Sequence, residues 1–185
     1  GAAKAATQGG AQAMRPWRRP RAGWGGGFFL AILLCAMQGA AAQEGAAADA
    51  ERLRQAVRAD YVLQCAGCHR VDGRGSSPHG IPDFRQSVGA FTHLPAGREY
   101  LIRVPGAAHS QLSNAELAAV LNWVLVEFSR AELPADFKPY TEAEVAAARP
   151  NRYDDVVPVR HGLAEQLSSM GFALSEYSYG SDRKP

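Results

Sequence analysis

The feature that most constrains this 185-residue chain is the pentapeptide CAGCH at residues 65–69. Two thiols three positions apart can each form a thioether with one of the two vinyl groups of a haem, and the adjacent imidazole can then bind the iron. C-x-x-C-H is the pattern of covalent c-type haem attachment. We therefore predict one covalent haem c, with Cys65, Cys68 and His69 as cofactor-binding residues and His69 as an iron ligand.

Two other interpretations of the cysteine pair have less support in the sequence than haem attachment. A thioredoxin-like redox pair shares C-x-x-C but needs a preceding strand in a βαβ unit, whereas the segment before Cys65 has helical periodicity. A structural zinc site needs four ligands, and the chain has neither a second cysteine pair nor an H-x-x-x-H pattern. The third cysteine of the chain, Cys35, lies in a different kind of segment.

That segment has the layout of a secretory signal peptide. Met14 is followed by four arginines, an apolar run at 28–37 and three alanines ending at Ala42, which supply a cleavage site. We predict an upstream extension at 1–13, a signal peptide at 14–42 and a periplasmic mature protein. The apolar run is shorter than the roughly 20 residues of a spanning helix, which favours a cleaved signal over a membrane anchor. If the signal were not cleaved, it would be the only link of the protein to a membrane.

The charge balance changes at the predicted cleavage site. The first 42 residues hold five basic and no acidic side chains, and the remainder holds 15 basic and 18 acidic side chains. The part of the chain after residue 42 is therefore mildly acidic, which argues against nucleic acid or anionic lipid as its main partner.

Helical periodicity dominates the body of the chain. Apolar residues recur at helical spacing from residue 48 to the motif and again over 115–128. Ser113 and Glu116 form a capping box that opens the second helix, and a shorter helix is predicted near 97–104. The sequence therefore predicts an all-α fold.

The chain resembles the class I c-type cytochromes over about residues 50–130. Besides CAGCH, the resemblance rests on Tyr61 before the motif, DGRG at 72–75 after it, and Pro82. It implies a small haem domain at 43–130 in which the first and last helices pack together. It also implies that the Pro82 carbonyl accepts a hydrogen bond from His69 Nδ1, which makes Pro82 a further cofactor-binding residue.

The second iron ligand departs from the family pattern. Electron-carrying members usually supply a methionine just before the last helix, and this chain has Val104-Pro105 there. We predict His109 as the second metal ligand, because imidazole binds iron well. An open or water-occupied position, Met170, His93 and His79 stay as alternatives.

Residues 131–185 form an extension beyond the resembled domain. A second capping box at Thr141 and Glu144 predicts a helix that ends before Pro150, and another helix is predicted over 159–169. We expect these helices to pack on the haem domain, followed by a loose tail from Ser178.

Together these features predict an electron-transfer protein rather than an enzyme. It would carry single electrons from an exported dehydrogenase or other oxidoreductase to an acceptor such as another cytochrome or an oxidase. Two alternatives remain: a haem enzyme or small-ligand (peroxide, nitric oxide) binding protein with an open distal site, and a fixed haem subunit of an oxidoreductase complex.

Overall fold

The computed structural model describes residues 26–180, with side chains from residue 43 onward. The predicted extension at 1–13 and the first part of the predicted signal peptide, 14–25, lie outside the described residues. Contacts divide the chain into one unit at 1–46 and another at 47–185. Of the first unit, the structure describes the backbone of the helix that begins at Gly26 and the side chains from residue 43. No described helix is both long and apolar enough to cross a membrane.

The described residues form helices and turns without a β-strand, apart from a single bridge between Ser76 and Ile81. The all-α expectation is therefore confirmed. The α-helices are α1 Gly26–Gln64, α2 Ala66–His69, α3 Pro95–Arg103, α4 Pro105–Ala108, α5 Asn114–Ser129, α6 Glu142–Ala148 and α7 Val157–Ser169. Short 3-10 turns occupy Ser77–His79, Val88–His93 and Arg130–Glu132.

Helix α5 is the central element of the second unit. Both halves of its capping box are present: Glu116 N donates to Ser113 Oγ at 3.2 Å and Ser113 N donates to the Glu116 carboxylate at 2.7 Å. Helix α5 meets the end of α1 at the buried Tyr61, whose ring centroid lies 5.0 Å from that of the half-buried Trp123. The predicted pairing of the first and last helices of the haem domain is thus present.

The extension packs on the haem domain within the same unit. Helix α6 contacts α5 and α3, and α7 contacts α3 and the 3-10 turn Val88–His93. Asn122 of α5 exchanges two hydrogen bonds with the backbone of Tyr140, at 2.7 and 3.0 Å. Thr141 caps α6 by accepting from Glu144 N, so both predicted extension helices form.

The chain after α7 returns over the loop that follows the CAGCH motif. Ser175 donates through its backbone N to Ser87 Oγ at 3.2 Å and through its hydroxyl to the Asp83 carbonyl at 3.0 Å. Ser178 N donates to Ser77 Oγ at 3.3 Å. Ser178, the first residue of the expected loose tail, is therefore hydrogen-bonded to the rest of the chain, and residues 181–185 of that tail lie outside the described residues.

We predict that Leu167→Ala lowers the free energy of unfolding by about 2–5 kcal/mol, the usual cost of emptying a fully buried leucine site. Leu167 is completely buried in the core. Gln166→Ala, at an exposed position of the same helix, is the control and should stay within about 0.5 kcal/mol. Urea unfolding of the holoprotein measures both, and equal small effects would show that α7 adds little to the core.

Candidate functional site

The CAGCH motif forms a helical turn directly after α1. Cys65 N donates to the Tyr61 carbonyl at 2.9 Å, and His69 N donates to the Cys65 carbonyl at 2.9 Å. The buried Tyr61 also donates its hydroxyl to the Arg70 carbonyl at 2.7 Å. Tyr61 therefore ties both ends of the turn to the core, and the two thiols and the imidazole of the motif reach the same cavity.

This cavity has a volume of about 330 Å³ and mostly apolar walls. Its lining combines the motif, the loop at 80–88, α3, the segment 104–110, α5 and the extension. The apolar side chains in the lining are Ile81, Pro82, Phe84, Val88, Phe91, Leu101, Val104, Pro105, Ala107, Leu117, Val120, Leu121, Val124 and Val156. An apolar cavity with a few convergent polar groups is typical of a cofactor site.

His69 is held in one orientation by two contacts. Its Nδ1–H donates to the Pro82 carbonyl at 3.2 Å, and its ring stacks on Phe84 with a centroid distance of 3.8 Å. The pKa of His69 is lowered to about 4, chiefly by burial; the Pro82 hydrogen bond opposes this shift and the Arg160 charge adds to it. The imidazole is therefore neutral at physiological pH and keeps the Nε2 lone pair for a metal.

Pro82 is itself held in place by a close backbone approach. A Cβ built on Gly75 would lie 2.3 Å from the Pro82 carbonyl oxygen, and Gly75 has a φ of +62°. Only glycine combines that conformation with such an approach at little cost. The DGRG segment of the sequence thus positions the hydrogen-bond acceptor of His69.

The two cysteines are free thiols that reach the cavity beside His69. Cys65 is half-buried and Cys68 is exposed. Burial raises the pKa of Cys65 to about 11, with a smaller contribution from Cys68. Two free thiols and a neutral imidazole at the edge of an apolar cavity fit a covalently bound haem.

The predicted second ligand, His109, does not reach the cavity. Its side chain is exposed and its Nε2 contacts the guanidinium of Arg152. Arg149, at the end of α6, donates to the carbonyls of Ala108, Ser110 and Leu112 at 2.6–2.9 Å. Arg149 thereby fixes the segment 104–112 with His109 on the outside and Ala107 at the cavity.

The alternative ligands also lie elsewhere. His79 hydrogen-bonds Ser76 at 2.7 Å, and His93 hydrogen-bonds the Glu132 carbonyl at 2.9 Å. Met170 is 51% exposed after the end of α7. Among the described residues that line the cavity, His69 is the only histidine and there is no methionine.

Arg160 and Tyr177 are two polar lining residues from the extension that the sequence analysis did not assign to the site. Arg160 is 5% exposed and lies three residues before Leu163 and seven before Leu167. That spacing places Arg160 on the inner stripe of α7, so the helical pattern contained the signal. The charge of Arg160 nevertheless argued against a buried position, because arginine is rarely buried without a partner.

We predict that Gly75→Ala destabilises the holoprotein by about 1–3 kcal/mol, because the new Cβ strains the turn and displaces the Pro82 carbonyl. Gly162→Ala is the matched control, since a Cβ there meets nothing within 4 Å. Within helix α7 it should stabilise by about 0.5–1 kcal/mol. Thermal unfolding distinguishes the two, and a Gly75→Ala protein as stable as the parent would contradict the tight packing of this turn.

Comparison with known proteins identifies two similar chains. Both are named cytochrome c-552 and come from Thermus thermophilus. The first is 34% identical over 115 residues, which cover 52% of this chain and 77% of the relative. The second is 34% identical over 113 residues, covering 51% of this chain and 86% of the relative. No protein-family model matches the chain, and no solved structure does.

Proposed function

The chain belongs to the c-type cytochromes, and from this premise we propose that it is a periplasmic carrier of single electrons. The donor would be an exported dehydrogenase or other oxidoreductase, and the acceptor a downstream cytochrome or oxidase. The cofactor is a covalently bound haem c, whose iron supplies the one-electron chemistry. The observation that carries the proposal is the convergence of Cys65, Cys68 and His69 on one apolar cavity.

Each residue of the site has a separate task in this proposal. Cys65 and Cys68 hold the haem covalently through its vinyl groups. His69 binds the iron on one face, and the Pro82 carbonyl fixes the tautomer and raises the basicity of the imidazole. The apolar walls exclude water from the cofactor, and low polarity around a haem is one determinant of its reduction potential.

The exposed side of the motif is the proposed contact region for redox partners. Cys68 is exposed there, and the neighbouring side chains Leu63 and Val71 are 76% and 64% exposed. A small apolar surface beside the cofactor suits weak and transient docking, which is typical of electron-transfer pairs. The absence of a strong positive charge in the body of the chain is consistent with a protein partner.

The periplasmic location is supported by two sequence features. Residues 14–42 have the order of a basic stretch, an apolar run and small residues expected of a secretory signal. The CAGCH motif is consistent with this location, because c-type haem attachment takes place outside the cytoplasm.

We predict that the double variant Cys65→Ala/Cys68→Ala loses covalent haem, because no thiol remains at the cavity to form a thioether. Haem staining after denaturing electrophoresis measures this directly. Ser168→Ala, on the exposed side of α7, is the control and should stain like the parent. Covalent haem at the parental level in the double variant would refute the attachment site.

A second function is favoured by the composition of the cavity wall. His69 is the only histidine or methionine among the described lining residues, and small side chains such as Ala107 occupy the segment where the family usually supplies its second ligand. This arrangement favours a sixth iron position that small ligands can reach. The corresponding function is a haem protein that binds nitric oxide, peroxide or a similar small molecule.

Carbon monoxide binding to the reduced protein separates the two functions. An electron carrier with a firmly held sixth ligand should not bind carbon monoxide within minutes. An open sixth position, which the placement of His109 outside the cavity favours, should bind it rapidly, at a rate unchanged in His109→Ala. The visible spectrum after mixing is the measurement. A parent protein that does not bind carbon monoxide, together with a His109→Ala variant that does, would establish His109 as the second ligand and favour the electron carrier alone.

A further inference from the structure

Arg160 is a buried cation in the wall of the cavity. Its side chain comes from α7 of the extension and is 5% exposed. Its Nε is buried and has no hydrogen-bond partner. Within the described part of the chain, no carboxylate forms a salt bridge with its guanidinium: the described ion pairs involve seven other arginines.

The surroundings of Arg160 fix the guanidinium without neutralising it. Its central carbon lies 5.1 Å from the ring centroid of Phe91 and 4.4 Å from that of Tyr177. Two aromatic rings stabilise a cation in part and restrict its plane. A buried charge with an unpartnered N–H is nevertheless costly, because it lacks the solvation that water would supply.

The one described carboxylate in the cavity lining is already paired. Asp83 accepts from Arg85 Nε at 3.0 Å and from Arg85 NH2 at 2.6 Å. The guanidinium of Arg160 therefore forms no salt bridge with a described carboxylate, and it lines the cavity that the proposed function assigns to the haem.

We propose that Arg160 is the counter-ion of a haem propionate. This inference rests on the haem site of the proposed function. A haem is apolar over most of its surface, and its two propionates are its only anionic substituents. The planar fork of a guanidinium matches a carboxylate, and the orphaned Nε supplies a donor for it. Arg160 is a positioning residue, since it acts on the iron through the propionate and not by direct contact.

The proposal gives the extension a role in setting the redox equilibrium. A positive charge beside the cofactor stabilises the reduced state, which carries one more electron than the oxidised state. Removing it leaves the propionate charge uncompensated and lowers the reduction potential. A unit charge within about 10 Å of a redox centre, at an effective dielectric constant of about 20, changes such an equilibrium about tenfold.

The test compares the potentials of the holoproteins carrying Arg160→Gln and Arg160→Lys with that of the parent. Arg160→Gln should shift the reduction equilibrium about tenfold toward the oxidised form, or about 59 mV for one electron. Arg160→Lys keeps the charge and should restore most of the parental potential. Arg98→Gln is the control: Arg98 is half-buried, but it is paired with Glu144 at 2.8 and 2.9 Å and lies outside the cavity lining.

Parental potentials in all three variants would overturn the proposal, as would an equal fall in Arg160→Gln and Arg98→Gln. If Arg160→Gln does not accumulate, the resonance Raman band of propionate bending in Arg160→Lys decides. The band should shift in Arg160→Lys, because lysine lacks the planar guanidinium that can donate two parallel hydrogen bonds to a carboxylate. It should stay in place in Arg98→Gln. An unshifted band overturns the proposal. Covalent haem content is measured first, because its absence in the parent would refute the haem site itself and not the role of Arg160.

Discussion

The hydrogen bond from His69 to the Pro82 carbonyl determines how the rest of this structure is arranged around the cavity. For it to form, the CAGCH turn must be tied to the core through Tyr61, and the Pro82 loop must be drawn toward the motif by Gly75. The chain leaves an apolar cavity between these elements and α5. In the proposed function the haem fills this cavity and adds to the packing of the interior as well as supplying the chemistry.

Residues of the extension line the cavity and also hold other parts of its wall in place. Helix α6 fixes the segment 104–112 through Arg149 and so sets which side chains face the cavity. Helix α7 places Arg160 in the wall, and the following chain covers the Pro82 loop through Ser175. The extension, which lies beyond the region of the family resemblance, thus shapes the cavity wall at 104–110 and places a positive charge in that wall.

Local signals in the sequence were sufficient for most elements. Ser113 and Thr141 mark the starts of α5 and α6, because capping is decided within one helical turn. The position of His109 could not be predicted in this way, since it depends on Arg149, which lies 40 residues further along the chain. Arg160 was overlooked for a different reason: arginine is rarely buried without a partner, so a charged residue on an apolar stripe is interpreted as a surface residue.

The central claim is that this chain binds one haem covalently through the CAGCH motif, and the mass of the denatured protein tests it most directly. The chain is expressed with a c-type haem attachment system, unfolded in denaturant and examined by mass spectrometry before and after proteolysis. The account predicts the mass of the polypeptide plus one haem, with the added mass on the peptide that contains Cys65 and Cys68. A polypeptide that loses its haem on denaturation, or that carries it on another peptide, would contradict the account.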